Sequence, residues 1–227
     1  MFTHTKKLGS LFFFGIIFSC GVFAQPQNDF RAVVGLSIEK KISRSFSVSF
    51  LNNEIINQNL SEVALGFADL GLNYRLNRNF SFGANYRFAK SRNLQNYFDD
   101  RQMIYADINY QKFFHRFNLN LRSRIQNQYY PHLFDNSFRP YQTYNRNRLQ
   151  LRYKLKYYFS LFTSIENFLY LNRNTGRKLT DIRYSSGLNY TFNENVKTEF
   201  YFSFDDGLNR INRINYFSLG ATCYLKF

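Results

Sequence analysis

The residues of this chain that can do acid–base, nucleophilic or metal chemistry are few. Histidine occurs at His4, His115 and His132, and cysteine at Cys20 and Cys223. His132 lies in the stretch YYPHLFDNSFRPYQTY with Asp135 and Ser137 close in sequence. These are the residue types of a nucleophile, its base and an orienting carboxylate, as used in hydrolysis or acyl transfer on lipids. All three come from one proline-containing loop, however, and a catalytic site needs a rigid scaffold behind it. An ordinary loop histidine is the preferred reading, and no catalytic residue is assigned. One cysteine and two histidines beyond residue 24 leave almost no material for a zinc or haem site, so no metal or cofactor is expected.

The abundant reactive groups are cationic. Thirty Lys and Arg face fifteen Asp and Glu, a formal charge of +15. Ten bases fall in regular polar rows: Arg75, Arg87, Arg122, Arg124, Arg146, Arg148, Arg152, Lys154, Arg183 and Lys197. Five acids share those rows: Asp69, Asp107, Glu166, Glu199 and Asp205. Further bases, Arg92, Arg101, Arg139, Arg173, Arg177, Lys178, Arg210 and Arg213, lie in polar loops. Nucleic acid is excluded as a partner, because the charges are spread over rows and loops with no recognition motif. What the rows do depends on the elements that hold them.

Those elements are strands. From residue 30 onward the apolar period is two, with no convincing helical face. Phe80, Phe82, Ala84, Tyr86 and Phe88 alternate with Ser81, Gly83, Asn85 and Arg87, and similar rows recur to the end of the chain. About eleven strands can be counted. Short connections at 40–45, 77–79, 111–116, 156–158 and 193–195 alternate with long polar ones at 52–61, 89–101, 129–144, 171–180 and 206–213. Short turns at one rim and long loops at the other is the layout of outer-membrane barrels, whose turns are periplasmic and loops external.

The first 24 residues have the parts of a cleaved secretory signal: a basic start at Lys6 and Lys7, an apolar run from Leu11 to Phe18, and Val22-Phe23-Ala24 before Gln25. The apolar run is short for a retained anchor. A lipidated Cys20 would need a small residue where Phe18 stands. Cleavage would remove two lysines and no acid, lowering the charge from +15 to +13. The expected organisation is therefore a signal at 1–24 and one barrel domain at 25–227.

Aromatics make up 20% of the chain, with 28 Phe, 18 Tyr and no Trp, yet the mean hydropathy is −0.43. A lipid-facing wall and interfacial girdles consume aromatics in this way. A soluble β-sandwich or lipocalin-like barrel shows the same alternation, but such rows from eleven strands would hardly pack into one small core. The fold expected is all-β: a transmembrane antiparallel up-and-down barrel of 10–12 strands, integral to a bacterial outer membrane. Parity is unresolved, because an odd count starts the first strand at the external rim.

On such a barrel the basic rows face the lumen, with two uses. Rings of Arg or Lys make an anion-biased channel for a small anionic solute. Alternatively, Arg–carboxylate pairs and Arg stacked on Tyr fill the lumen as a polar plug, which suits a structural or interaction role and is preferred. An outer-membrane lipid-modifying enzyme is the least favoured use. The loop bases would lie beside phosphates of outer-membrane lipids and lipopolysaccharide, or form a solvated basic face. Three short turns also set a register. Symmetry about Arg78, Tyr157 and Glu194 places Asp69 opposite Arg87, Arg148 opposite Glu166 and Arg183 opposite Asp205.

The pieces NRNRLQLRYKL (145–155), SIENFLY (164–170) and GLNYTFNENVKTEFYF (187–202) resemble an uncharacterised family of small Gram-negative outer-membrane barrels. The most recognisable part is the Arg-rich strand followed by Glu166. The resemblance implies fold and location but no activity. The closing row Phe217, Leu219, Ala221, Cys223, Leu225, Phe227 likewise resembles the C-terminal signature of outer-membrane proteins. That likeness implies Phe227 as an assembly signal and the barrel-assembly machinery as a partner during biogenesis.

Overall fold

The computed structural model of the chain describes residues 27–92, 97–130, 141–172, 176–208 and 214–227. The signal assigned to 1–24 lies outside them. The strands are β1 (Gln27–Lys41), β2 (Phe46–Asn57), β3 (Glu62–Arg75), β4 (Phe80–Arg92), β5 (Phe98–Phe114) and β6 (Phe117–Tyr129). They continue as β7 (Tyr141–Lys156), β8 (Phe159–Asn172), β9 (Gly176–Thr191), β10 (Val196–Gly207) and β11 (Ile214–Lys226). Each pairs with its chain neighbour, and β11 returns to β1 to close a barrel.

The closure corrects the fully antiparallel expectation. β1 and β11 run parallel, from Gln27 opposite Ile214 to Glu39 opposite Lys226. With eleven strands the first and last point the same way, so the seam has to be parallel. β1 therefore begins at the long-loop rim, which resolves the parity conflict. Phe227 fastens the seam by donating its N–H to Glu39 O and accepting from Lys41 N, both at 2.9 Å.

Several connections are shorter than expected, with strands extending into 89–101, 129–144 and 171–180 to leave 93–97, 130–140 and 173–175 between them. β2 continues through Asn57, so the link to β3 is only 58–61, although 52–61 reads as a loop. The segment at 111–116 shrinks to His115 and Arg116, because β5 runs to Phe114. Two other turns share one device. Asn77 Oδ1 accepts from the N–H groups of Asn79 and Phe80 at 2.8 Å. Asn193 Oδ1 does the same for Asn195 and Val196, at 2.9 and 2.8 Å. Side-chain mimicry of a backbone turn is why Asn starts these hairpins. Asn193→Ala should lower stability by about 1 kcal/mol, roughly one net hydrogen bond. Urea titration in detergent checks this, and an unchanged midpoint would refute it.

The wall is apolar outside and charged inside. Leu70, Leu72, Ile104 and Ile125 are 58–67% exposed, whereas Asp69 and Glu166 are 3% and 4% exposed. A soluble barrel reverses this. In hydrocarbon, a closed barrel pairs every backbone group while presenting such a surface. At the short-turn rim, cross-strand aromatic pairs form a girdle: Phe46–Tyr74, Phe80–Tyr110 and Phe117–Tyr153, with centroids 4.8–4.9 Å apart. Such belts sit at membrane–water interfaces. The exterior also carries Asn145, Asn147 and Asn167, which hydrogen-bond to one another.

Candidate functional site in the lumen

Strand alternation delivers every second side chain of each strand to the lumen. The hairpin registers then set which charges meet. Asp69 stands opposite Arg87, Arg148 opposite Glu166, and Arg183 opposite Asp205. Two of these pairs close into bidentate contacts. Arg87 donates from Nε and Nη2 to Asp69 at 2.5 and 2.6 Å. Arg183 donates likewise to Asp205 at 2.6 Å for both bonds.

The third contact differs from the expected one. Glu166 Oε1 accepts from Arg122 Nη2 at 2.6 Å and from Arg146 Nε at 3.0 Å. No hydrogen bond or ion pair joins Arg148 to Glu166. Its Nε is buried without a hydrogen-bond partner. Direct opposition in a ladder fixes Cα neighbours, but long side chains lean along the strand and reach diagonal partners. Arg122 reaches Glu166 across the whole of β7.

A third bidentate pair was not anticipated. Arg124 donates to Asp107 at 2.6 and 2.8 Å across β5 and β6. Its sequence signal is the pair of phenylalanines, Phe114 and Phe117, that flank a two-residue turn and set Asp107 opposite Arg124. Tyr105 links the two acid–base pairs beside it. Its hydroxyl donates to Asp69 Oδ2 at 2.7 Å, and its ring lies 3.8 Å beneath the Arg124 guanidinium. Arg87 stacks on Phe67 at 3.7 Å, Arg146 on Phe168 at 4.3 Å, and Arg31 on Tyr216 at 3.1 Å. Planar guanidinium groups suit both carboxylate forks and aromatic faces, which lysine does not. The belt leaves a central cavity of about 470 Å³ lined by residues of all eleven strands.

The remaining bases lie toward the short-turn rim. Arg75, Arg148, Arg152 and Lys197 line a vestibule of about 860 Å³ there, with Glu199. Lys154 departs from the lumen assignment: it is exposed at the rim, its ammonium 5.3 Å from the Tyr157 ring centre. Its backbone keeps the register of β7, opposite Ser160, and the bulge follows it between Lys154 and Lys156, where the strand ends at the rim. Of the loop bases, Arg92 pairs with Glu62 at 2.9 Å and Arg101 faces the Tyr130 ring, while Arg177 and Lys178 are exposed. Arg139, Arg173, Arg210 and Arg213 lie outside the described residues, as do His132, Asp135 and Ser137. His115 is in a turn with φ 51°. Among the described residues, no group of three His, Cys, Asp or Glu is placed to hold a metal ion.

Residues 31–206 match the family described as "Protein of unknown function (DUF2490)". The chain belongs to that family. No curated protein matches it. Among solved structures, a NanC porin is similar at 12% identity and TM-score 0.53, over 82% of this chain and 93% of the porin. A bacterial polysaccharide outer membrane secretin is similar at 7% identity and TM-score 0.50, over 79% of this chain and 63% of that one. OmpT of Vibrio cholerae aligns at 11% identity with TM-score 0.43, over 74% of this chain and 52% of its own. The chain thus spans less than two thirds of the length of the last two. The barrel fold is what is shared. With that fold, an apolar exterior and charges turned inward, this DUF2490 member is an integral outer-membrane barrel.

Proposed function

We propose that the protein is an outer-membrane barrel with a structural or interaction role, its lumen closed at mid-height by its own side chains. The observation that carries this reading is the belt of four buried carboxylates, Asp69, Asp107, Glu166 and Asp205, each held by arginine. Buried charges persist only when paired, and paired charges hold long side chains in fixed positions. A belt made this way is rigid, unlike a lumen lined by free lysines. The reading assigns no catalytic role. Its test is chloride efflux from vesicles carrying the refolded protein. Efflux no faster than from protein-free vesicles is expected, and rapid efflux would overturn closure.

A small anion-biased channel is the second reading. It is favoured by the surplus of bases around the vestibule, since rings of cationic side chains admit anions. An outer-membrane lipid-modifying enzyme would have to draw on His132.

In the orientation general to outer-membrane barrels the short turns face the periplasm. Arg177 and Lys178 would then stand beside lipopolysaccharide phosphates. Phe227 would lie at the periplasmic interface, available to the assembly machinery. Replacing Phe227 by Asp should lower the amount of assembled barrel far more than Lys226→Ala. The aromatic belongs to the lipid-facing row, where charge is disfavoured, whereas Lys226 points inward. Outer-membrane levels from fractionated cells report the difference, and equal levels would contradict the role.

A further inference from the structure

We infer that the vestibule at the short-turn rim is a binding site for a small polyanion, a solute carrying two or more phosphate or carboxylate charges. The inference rests on the proposed mid-height closure, which turns this space from a passage into a blind pocket. Seven lysines and arginines line it against two glutamates. One of those glutamates, Glu39, is already engaged by Lys226 at 3.2 Å and by Ser47 at 2.9 Å. Glu199 is left to face Arg148, Arg152 and Lys197, an excess of two positive charges.

The arginines are available in a way that those of the belt are not. Each belt carboxylate is taken by a named arginine, and none by Arg148 or Arg152. The Nε atoms of Arg148 and Arg152 are buried without a hydrogen-bond partner, as are those of Arg31 and Arg122. Arg122, however, already commits another nitrogen to Glu166, and Arg31 stacks on Tyr216. A buried donor without a partner costs free energy that an anionic ligand would recover. Arg148 and Arg152 project from the same face of β7, four residues apart, so their forks lie along one line of the wall. Lys197 faces them from β10, and Tyr224 and Gln150 supply neutral polar groups between. Forked guanidinium groups bind phosphate and carboxylate in bidentate fashion, and a concave low-dielectric wall concentrates the field. A volume of about 860 Å³ admits a solute well beyond the size of chloride. It is also within the range of ordinary small-molecule sites.

The test is isothermal titration of the full refolded chain in non-ionic detergent, using inorganic pyrophosphate and citrate as separate probes and glucose as a neutral control. Saturable binding of at least one anionic probe, and none of glucose, is expected. Preference between the two probes distinguishes a phosphate from a carboxylate source. Affinity should fall about tenfold or more in R148Q/R152Q, because two charge-assisted contacts are lost. It should fall similarly in Lys197→Gln and stay unchanged in Lys112→Gln, a rim substitution away from the vestibule. Heat-modifiable migration establishes that each variant is folded. Absence of saturable heat with both anions would overturn the inference, as would equal loss in Lys112→Gln and R148Q/R152Q. Failure here can be told from failure of closure. Rapid chloride efflux together with saturable binding refutes the closed lumen and keeps the site, whereas slow efflux without binding refutes the site alone.

Discussion

Glu166→Ala should destabilise the barrel by about 3–5 kcal/mol, the usual consequence of stranding buried charge. The substitution leaves Arg122 and Arg146 facing each other with no counter-ion, since Glu166 Oε1 accepts from both. Arg148→Gln should cost far less, within about 1 kcal/mol, the scale of an opposed charge pair on a sheet. Arg148 stands directly opposite Glu166 in the ladder but makes no bond to it. The two variants therefore separate pairing by register from pairing by contact. Urea unfolding in detergent, followed by heat-modifiable migration, measures both. Equal midpoints for the two would show that the Glu166 node is not organised as described.

Removing the node as a whole should have a different and larger functional effect. In R122S/R146S/E166S the acid and both bases leave together, so no charge is orphaned. Replacing complete buried ion pairs is often tolerated where breaking them is not. The triple variant should thus fold and should conduct, because three long side chains leave the middle of the lumen. The openings should favour anions, since Arg148, Arg152 and Lys197 remain below the gap. A folded triple variant that stays silent in a planar bilayer would mean that other side chains close the lumen.

How far the sequence foreshadowed this arrangement can be followed residue by residue. Alternation at Phe80–Phe88 reads directly as a strand because one face meets lipid throughout, and lipid permits few exceptions. The same logic fails at Asn52 and Glu54, which continue β2 with polar residues on the outer face and so read as a loop. Registers around Arg78, Tyr157 and Glu194 are legible because three residues between apolar flanks leave one symmetric pairing. The His115–Arg116 turn is masked by Lys112 and Phe113, which break the alternation near the rim, and the Asp107–Arg124 pair is lost with it. The parallel seam leaves no mark in the alternation, which is indifferent to strand direction. Arg122 to Glu166 is hidden for a further reason: it crosses an intervening strand, and only the curvature of the closed barrel brings those residues within reach.

Single-channel recording of the wild-type protein in a planar bilayer tests the closed lumen most directly. With Arg87–Asp69, Arg124–Asp107, Arg183–Asp205 and the Glu166 node intact, inserted barrels should stay silent at both voltage polarities. The triple variant in the same bilayer should open, which verifies insertion. Stable anion-selective openings of the wild-type barrel would contradict the account and establish the channel reading in its place.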